Sequence, residues 1–281
     1  PGSGIAEPGK MLMVMGTSTC HMLLSEKRQI VPGMAGCVKD GILPGFYGYE
    51  AGQAAVGDIF AWYVNNCVPH KIYQEAQEKD MNVHQVLEER ARQLTPGQRG
   101  LVALDWWNGN RSILVDAELS GLILGMTLNT KPEEIYLALL EATAFGTRRI
   151  IQAFQENGIS ITELYACGGL PERNRLLMQV YADVTGLPIY IAKSAQTCAL
   201  GAAILGSVAA GSTNGGFDSP QDAAAKMAGL KEDSFQPNAY NHEKYNYLYH
   251  EYLELHDHFG KGGSEAMKRL RKLKQTKSKP I

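Results

Sequence analysis

Residues 11–25 read Met11-Leu12-Met13-Val14-Met15-Gly16-Thr17-Ser18-Thr19-Cys20-His21-Met22-Leu23-Leu24-Ser25. Two short apolar runs, 11–15 and 22–25, flank a polar segment that opens with glycine, which predicts strand, tight turn, strand. Glycine at such a tip lets the backbone approach a ligand closely. Successive N–H groups beside the hydroxyls of Thr17, Ser18 and Thr19 form a concavity suited to an anion. An ordinary β-turn has the same composition, so the hairpin by itself speaks for architecture rather than chemistry.

Two further glycine-marked segments lie downstream. In Cys167-Gly168-Gly169-Leu170-Pro171-Glu172-Arg173-Asn174 a buried strand over 163–167 feeds a helix over 174–185. Paired glycines allow close approach to a phosphate or ribose, and the helix start adds free N–H groups and a positive dipole end. The spacing is neither GxGxxG nor a Walker A loop. In Gly45–Trp62 the residues Gly52, Gln53, Ala54, Gly57 and Asp58 are expected along one helix start. There they would permit close helix packing or leave room for a flat ring.

The remaining pattern is mixed. Strands are expected near 28–32, 36–43, 101–104 and 188–192, and helices over 54–65, 70–94 and 196–210. Thr130-Lys131-Pro132-Glu133-Glu134 predicts a helix start, with Thr130 as cap and proline and two acids in the first turn, continuing to about Asn157. Beyond 216 the chain reads as polar and helical, ending in a basic run from Lys268 to Lys279 expected to be solvated. Hairpins first and αβα later imply a layered α/β fold. A boundary is expected near 215, with 1–215 as the main domain and 216–281 as a helical extension on it.

Composition excludes several classes. Hydrophobic residues make up 44% of the 281 and charged residues 20%, with a formal net charge of -2. That is ordinary globular chemistry with no call for nucleic acid or a membrane surface. Cys20, Cys37, Cys67, Cys167 and Cys198 are scattered and lack zinc spacing. They read as reduced, mostly buried thiols of a cytoplasmic protein. No apolar run reaches membrane-span length. The chain opens on Pro1-Gly2-Ser3-Gly4 without an initiator Met, as though cut from something longer. Trp106 and Trp107 are expected to pack, and Arg111 to tie to Asp116. Tyr245, Tyr249 and Tyr252 are expected on a half-buried helix face, and His250, His256 and His258 in solvent.

The three glycine segments and a fourth motif together resemble one family. Gly121-x-Ile123-x-Gly125-Met126, seven residues, then Glu134-Ile135-x-x-Ala138 and Leu140-Glu141 is similar to a signature of the FGGY carbohydrate kinases, with Leu139 larger than the pattern usually takes. MGTSTC, KDGILPGFYGYEAGQ, GDIFAW and ALDWWNGNRS are nearest to members that phosphorylate L-ribulose in arabinose breakdown. The resemblance runs from Pro1 to about Gly211. It implies a ribonuclease-H-like domain of the actin-like ATPase fold, the C-terminal half of a two-domain kinase. ATP and Mg²⁺ would be the cofactors.

By the same resemblance Gly16, Thr17, Ser18 and Thr19 face the β- and γ-phosphates. Gly168, Gly169 and Leu170 lie against the α-phosphate and ribose, Arg173 or Asn174 near the adenine, and Gly57 and Phe60 on the other wall of the purine slot. The carboxylate base and most sugar contacts would lie upstream of Pro1, so Asp40, Asp58 and Asp105 receive no catalytic role. The implied partners are ATP or ADP, a sugar held mainly by an absent N-terminal domain, and a second copy in a homodimer. Rival readings are a kinase for another ketose or polyol, a non-catalytic actin-like switch module, and a catalytically dead scaffold.

Overall fold

The computed structural model describes residues 1–276, with side chains as far as Lys274. β1 (Lys10–Met15) and β2 (Thr19–Ser25) form the expected antiparallel hairpin, with Met15 opposite Thr19. Only Gly16, Thr17 and Ser18 remain in the turn, a tighter tip than the sequence suggested. Strand alternation buries Met11, Met13 and Met15 completely, as period two requires on a half-covered sheet. β3 (Gly36–Lys39) and β4 (Tyr47–Gln53) continue the sheet antiparallel on one side. β7 (Glu163–Cys167) and β8 (Ile189–Ala192) add to it in parallel on the other.

The full order is β3-β4-β2-β1-β7-β8-β9, where β9 (Leu230–Phe235) closes the edge antiparallel to β8. β9 lies in the stretch read as helical. Its sequence Leu-Lys-Glu-Asp-Ser-Phe is too charged to show an apolar strand pattern, as suits an edge. The expected strand at 28–32 does not form. Pro32 cannot donate to a ladder, and the Gln29 backbone is held instead by the Tyr49 hydroxyl, 2.6 Å from its N–H and 3.0 Å from its carbonyl.

Helices cover the sheet. The segment 70–94 divides into α2 (His70–Glu78) and α3 (Val83–Ala91), after α1 (Gly57–Cys67). The break comes at Asp80, in a left-handed conformation (φ 58° is found likewise at Asp40, φ 52° here), and at Asn82. Asn82 and Gln85 form a reciprocal capping box that starts α3. β5 (Val102–Leu104) and β6 (Leu122–Leu124) make a separate two-stranded sheet, β6 not having been expected.

α4 (Pro132–Glu156) is apolar on nearly every side and runs through the core between α1, α3, β5 and later helices. Its first turn is stabilised by Glu134, which accepts the Lys131 N–H at 3.0 Å. Thr130 does not cap it; the Thr130 hydroxyl accepts the Thr127 N–H instead, at 2.8 Å. Leu139 is fully buried, a packing contact of the main core. α5 (Gly169–Arg173), α6 (Arg175–Thr185), α7 (Thr197–Ala210), α8 (Pro220–Met227), α9 (Ala239–Gly260) and α10 (Ala266–Thr276) complete the chain.

Several local expectations are corrected. Arg111 pairs with Glu50 at 2.5 Å, while Asp116 pairs with Lys268 at 2.9 Å. That second bridge, and the Arg271 bond to the Ala117 carbonyl, dock part of the basic run on the body; Lys277 and Lys279 lie outside the described residues. His256 is 1% exposed, against the ring of Trp106 at 5.5 Å. Of the cysteines only Cys167 is buried; Cys20 and Cys37 are half-buried, and Cys67 and Cys198 are exposed. Trp106 packs in the core as expected. Among the described residues no helix is long and apolar enough to cross a membrane.

Candidate functional site

The hairpin tip is fastened to α1 through main-chain atoms. The Thr17 carbonyl accepts the N–H of Val56 at 2.7 Å and of Asp58 at 3.3 Å, and the Gly16 carbonyl accepts the Gly57 N–H at 3.1 Å. No side chain caps α1, so the tip satisfies N–H groups that a helix start otherwise leaves open. Glycine is required at 57 because a Cβ there would stand 2.6 Å from the Gly16 carbonyl oxygen. Gly52 and Gln53, expected on this helix, belong to β4 instead, and the helix starts at Gly57.

The β7–α5 turn abuts the same hairpin. Gly168 has φ +99°, and a Cβ on it would meet the Met15 carbonyl oxygen at 2.3 Å. Gly169 follows as the first residue of α5, and nothing lies within 4 Å of a Cβ placed there. Gly16 is similarly open, its nearest neighbour being the Ser18 carbonyl oxygen at 3.9 Å. Three turns far apart in sequence thus meet: two glycines permit the contact, and two face open space.

Beside this junction lies a cleft of about 450 Å³, of a size suited to a small organic ligand. Gly57, Phe60, Leu170, Arg173 and Asn174 all line it. Gly16, Thr17, Gly168 and Gly169 are not among its lining residues but adjoin it through the contacts above. Thr19 is fully buried beneath the tip, its hydroxyl without a hydrogen-bond partner. It is therefore separated from the exposed tip formed by Gly16 and Thr17.

The far wall was not anticipated. It comes from Asn82, His84, Gln85 and Glu88 around α3, with Tyr136 of α4 and Glu172 of α5. The Tyr136 hydroxyl lies 3.1 Å from His84 Nδ1 and 3.5 Å from Asn174 Nδ2. Asn174 Oδ1 accepts the Leu177 N–H at 2.7 Å, so the Asn174 side chain is occupied in capping α6. Arg173 is exposed at the cleft. Burial pushes the Glu88 carboxyl up to about 7, against the pull of Arg92, and lowers His84. The signal available in sequence was the Asn82-x-x-Gln85 box, which marks where α3 begins.

A buried polar network supports the tip from below. His21 Nε2 is 3.0 Å from the Thr147 hydroxyl, which donates to Gln53 Oε1 at 2.8 Å. Gln53 Nε2 donates to Asp105 Oδ2 at 2.7 Å and to the Thr143 carbonyl at 2.8 Å; the Tyr252 hydroxyl donates to Asp105 Oδ1 at 3.2 Å. Since Thr147 spends its proton on Gln53, His21 must donate from Nε2, which fixes its neutral tautomer. Burial pushes Asp105 up to about 6 despite these donors, and holds His21 down to about 3, with Arg111 adding to the effect. Asp105 is thus a structural acceptor within β2, β4, α4 and α9, with no opening to the cleft.

Among the described residues no group of three or more His, Cys, Asp or Glu side chains could hold a metal ion. The donors here do not make a cage for Mg²⁺.

The family profile that matches is that of the FGGY family of carbohydrate kinases, C-terminal domain, over residues 11–210. The ribulokinase of Halalkalibacterium halodurans is 60% identical over 280 residues, covering 100% of this chain and 50% of that protein. The xylulose kinase of Rhodospirillum rubrum superposes with a TM-score of 0.76 at 24% identity, covering 91% of this chain and 48% of its own. Plasmodium falciparum glycerol kinase with ADP gives a TM-score of 0.69 at 20% identity, over 90% and 48%. The chain spans about half the length of the curated relatives it matches.

Proposed function

Because this chain belongs to the FGGY family of carbohydrate kinases, we propose that it is the ATP-binding half of a kinase that converts L-ribulose to L-ribulose 5-phosphate. The carrying observation is the convergence of the three glycine turns: Gly57 rests on the Gly16 carbonyl and Gly168 on the Met15 carbonyl, beside one cleft. The open positions Gly16 and Gly169 then face the phosphates, and Phe60 and Leu170 enclose the purine. Phosphoryl transfer asks chiefly for positioning and charge neutralisation, which a rigid backbone cradle supplies. The ribulokinase of 60% identity supports the choice of sugar.

Mg²⁺ travels on the nucleotide phosphates in this reading and takes no carboxylate cage from this half. The proton acceptor for the sugar hydroxyl is assigned to the other half, as the family resemblance implies, and Asp105 is sealed in its network. The isolated chain accordingly binds nucleotide and transfers little phosphate. Turnover of L-ribulose by the chain alone at rates typical of kinases would sink that part.

The test is calorimetric titration with Mg·ADP of the chain and of its Gly16→Val/Gly169→Val variant. Both glycines have open space around them, so the variant folds while its side chains fill the phosphate site. Affinity should fall on the order of thirtyfold, about 2 kcal/mol, with an unchanged unfolding midpoint. Undiminished binding would remove the phosphates from these turns.

A further inference from the structure

The polar groups lining the cleft are unevenly committed, and this bears on which base it takes. Asn82 Oδ1 is spent on the Gln85 N–H and Gln85 Oε1 on the Asn82 N–H, at 3.0 and 2.9 Å. Asn174 Oδ1 is spent on the Leu177 N–H. The Tyr136 oxygen receives the Asn174 amide, and Glu172 is tied to Lys231 of β9. Arg173 has only donors to offer. Glu172, tied through one oxygen, is exposed to solvent; the other lining carboxylate, Glu88, is the buried one with an acceptor to spare. It is buried on the cleft side of α3, and its one ion pair among the described residues is a 3.8 Å contact with Arg92 of the same helix.

The Tyr136 hydroxyl receives the Asn174 amide at 3.5 Å and lies 3.1 Å from His84 Nδ1. In the tautomer where Tyr136 donates to Nδ1, the neutral His84 carries its hydrogen on Nε2. Residues four apart on a helix share a face, so α3 presents a donor at 84 and an acceptor at 88, one turn apart. Phe60 and Leu170 supply apolar surface near the phosphate-proximal turns, which leaves α3 to meet the distal edge of a bound ring.

We propose that Glu88 and His84 read the 6-position edge of the purine: the Glu88 carboxylate accepts a hydrogen bond from an exocyclic amino group, and His84 Nε2–H donates to the adjacent ring nitrogen. The site therefore selects 6-aminopurine nucleotides over 6-oxopurine ones. Above about pH 8, where Glu88, pushed up to about 7 by burial, is ionised, an oxo group in the same pose sets two acceptors against each other in a partly desolvated slot, and a site built to bond one polar group rejects its counterpart strongly. The inference rests on the cleft being the nucleotide site.

The experiment compares three diphosphates as magnesium complexes on the 281-residue chain: ADP, IDP, and the purine ribonucleoside diphosphate with no 6-substituent. The wild-type chain should bind ADP at least about tenfold more tightly than IDP, with the unsubstituted purine between them. Glu88→Gln, whose amide can turn to donate, should bring the ADP/IDP ratio to near one or below. It should hold the unsubstituted compound within about twofold of wild type. An unchanged ratio in Glu88→Gln overturns the assignment. So does a wild-type chain that binds the unsubstituted purine as well as ADP, a result that needs no variant to fold. Failure of all three ligands to bind would instead bring down the nucleotide site itself, and the base reader with it.

Discussion

The two ends of the cleft are built from different material. The end proposed to hold the phosphates, adjoining the cleft, is main chain: Gly16 and Thr17 carbonyls fastened to α1, and Gly168 seated on the Met15 carbonyl. The distal end is side chain, brought by α3, α4 and α5 and held by the Tyr136 hydroxyl. A backbone contact admits no substitution beyond hydrogen, whereas a side-chain contact can be retuned one residue at a time. Changes at the seated glycines Gly57 and Gly168 should therefore act by misfolding, and changes at the second end by altered preference.

Gly168→Val is the most damaging change expected. It combines a left-handed φ of +99° with a Cβ 2.3 Å from a carbonyl oxygen, a loss of about 3 kcal/mol or more, readable by denaturant unfolding. A wild-type midpoint would break the contrast.

The network beneath the tip gives the next effect. Asp105 has a folded pKa of about 6, raised from 3.8 by burial, so between those values the folded state binds more protons than the unfolded state. Stability should accordingly fall as pH rises from about 4 to 6. Asp105→Asn should flatten that part of the profile, a difference on the order of 3 kcal/mol at pH 7, measured by urea unfolding across pH. An unaltered profile would mean that Asp105 does not titrate there.

Tyr136→Phe should cost about 1 kcal/mol, since it strands the Asn174 amide and frees His84. It should also loosen base preference while sparing affinity for inorganic pyrophosphate, a probe confined to the phosphate end. Equal loss for both ligands would merge the two ends into one unit. Arg173→Ala should change stability by less than about 0.5 kcal/mol and ADP affinity only a few-fold, by titration calorimetry.

The same contrast explains what sequence conveyed. Glycine turns are local: Gly57 and Gly168 each mark a backbone demand and Gly16 an open tip, all visible within a few residues, and their order and spacing carried the family and the fold. The α3 wall is a long-range product. Nothing near His84 or Glu88 tells that α3 packs on α4 so as to face Leu170, and the run 70–94 reads as one polar helix until Asn82-x-x-Gln85 is taken as a start. Thr19 shows the reverse error, a hydroxyl at the right place in sequence that strand pairing turns inward. His256 was discoverable: it extends the buried stripe Tyr245, Tyr249, Tyr252 by four residues. β9 was not, because an edge strand with three consecutive charged residues, Lys231, Glu232 and Asp233, carries no apolar signature.

The bonds from Thr17 to Val56 and Asp58 have a consequence for timing. These amides can exchange their hydrogens with solvent only when the tip lifts from α1. Deuterium uptake at Val56, Gly57 and Asp58 is thus a clock for that opening. A ligand that bridges tip and helix should slow the clock at all three amides together, and its departure should be no faster than the opening they record.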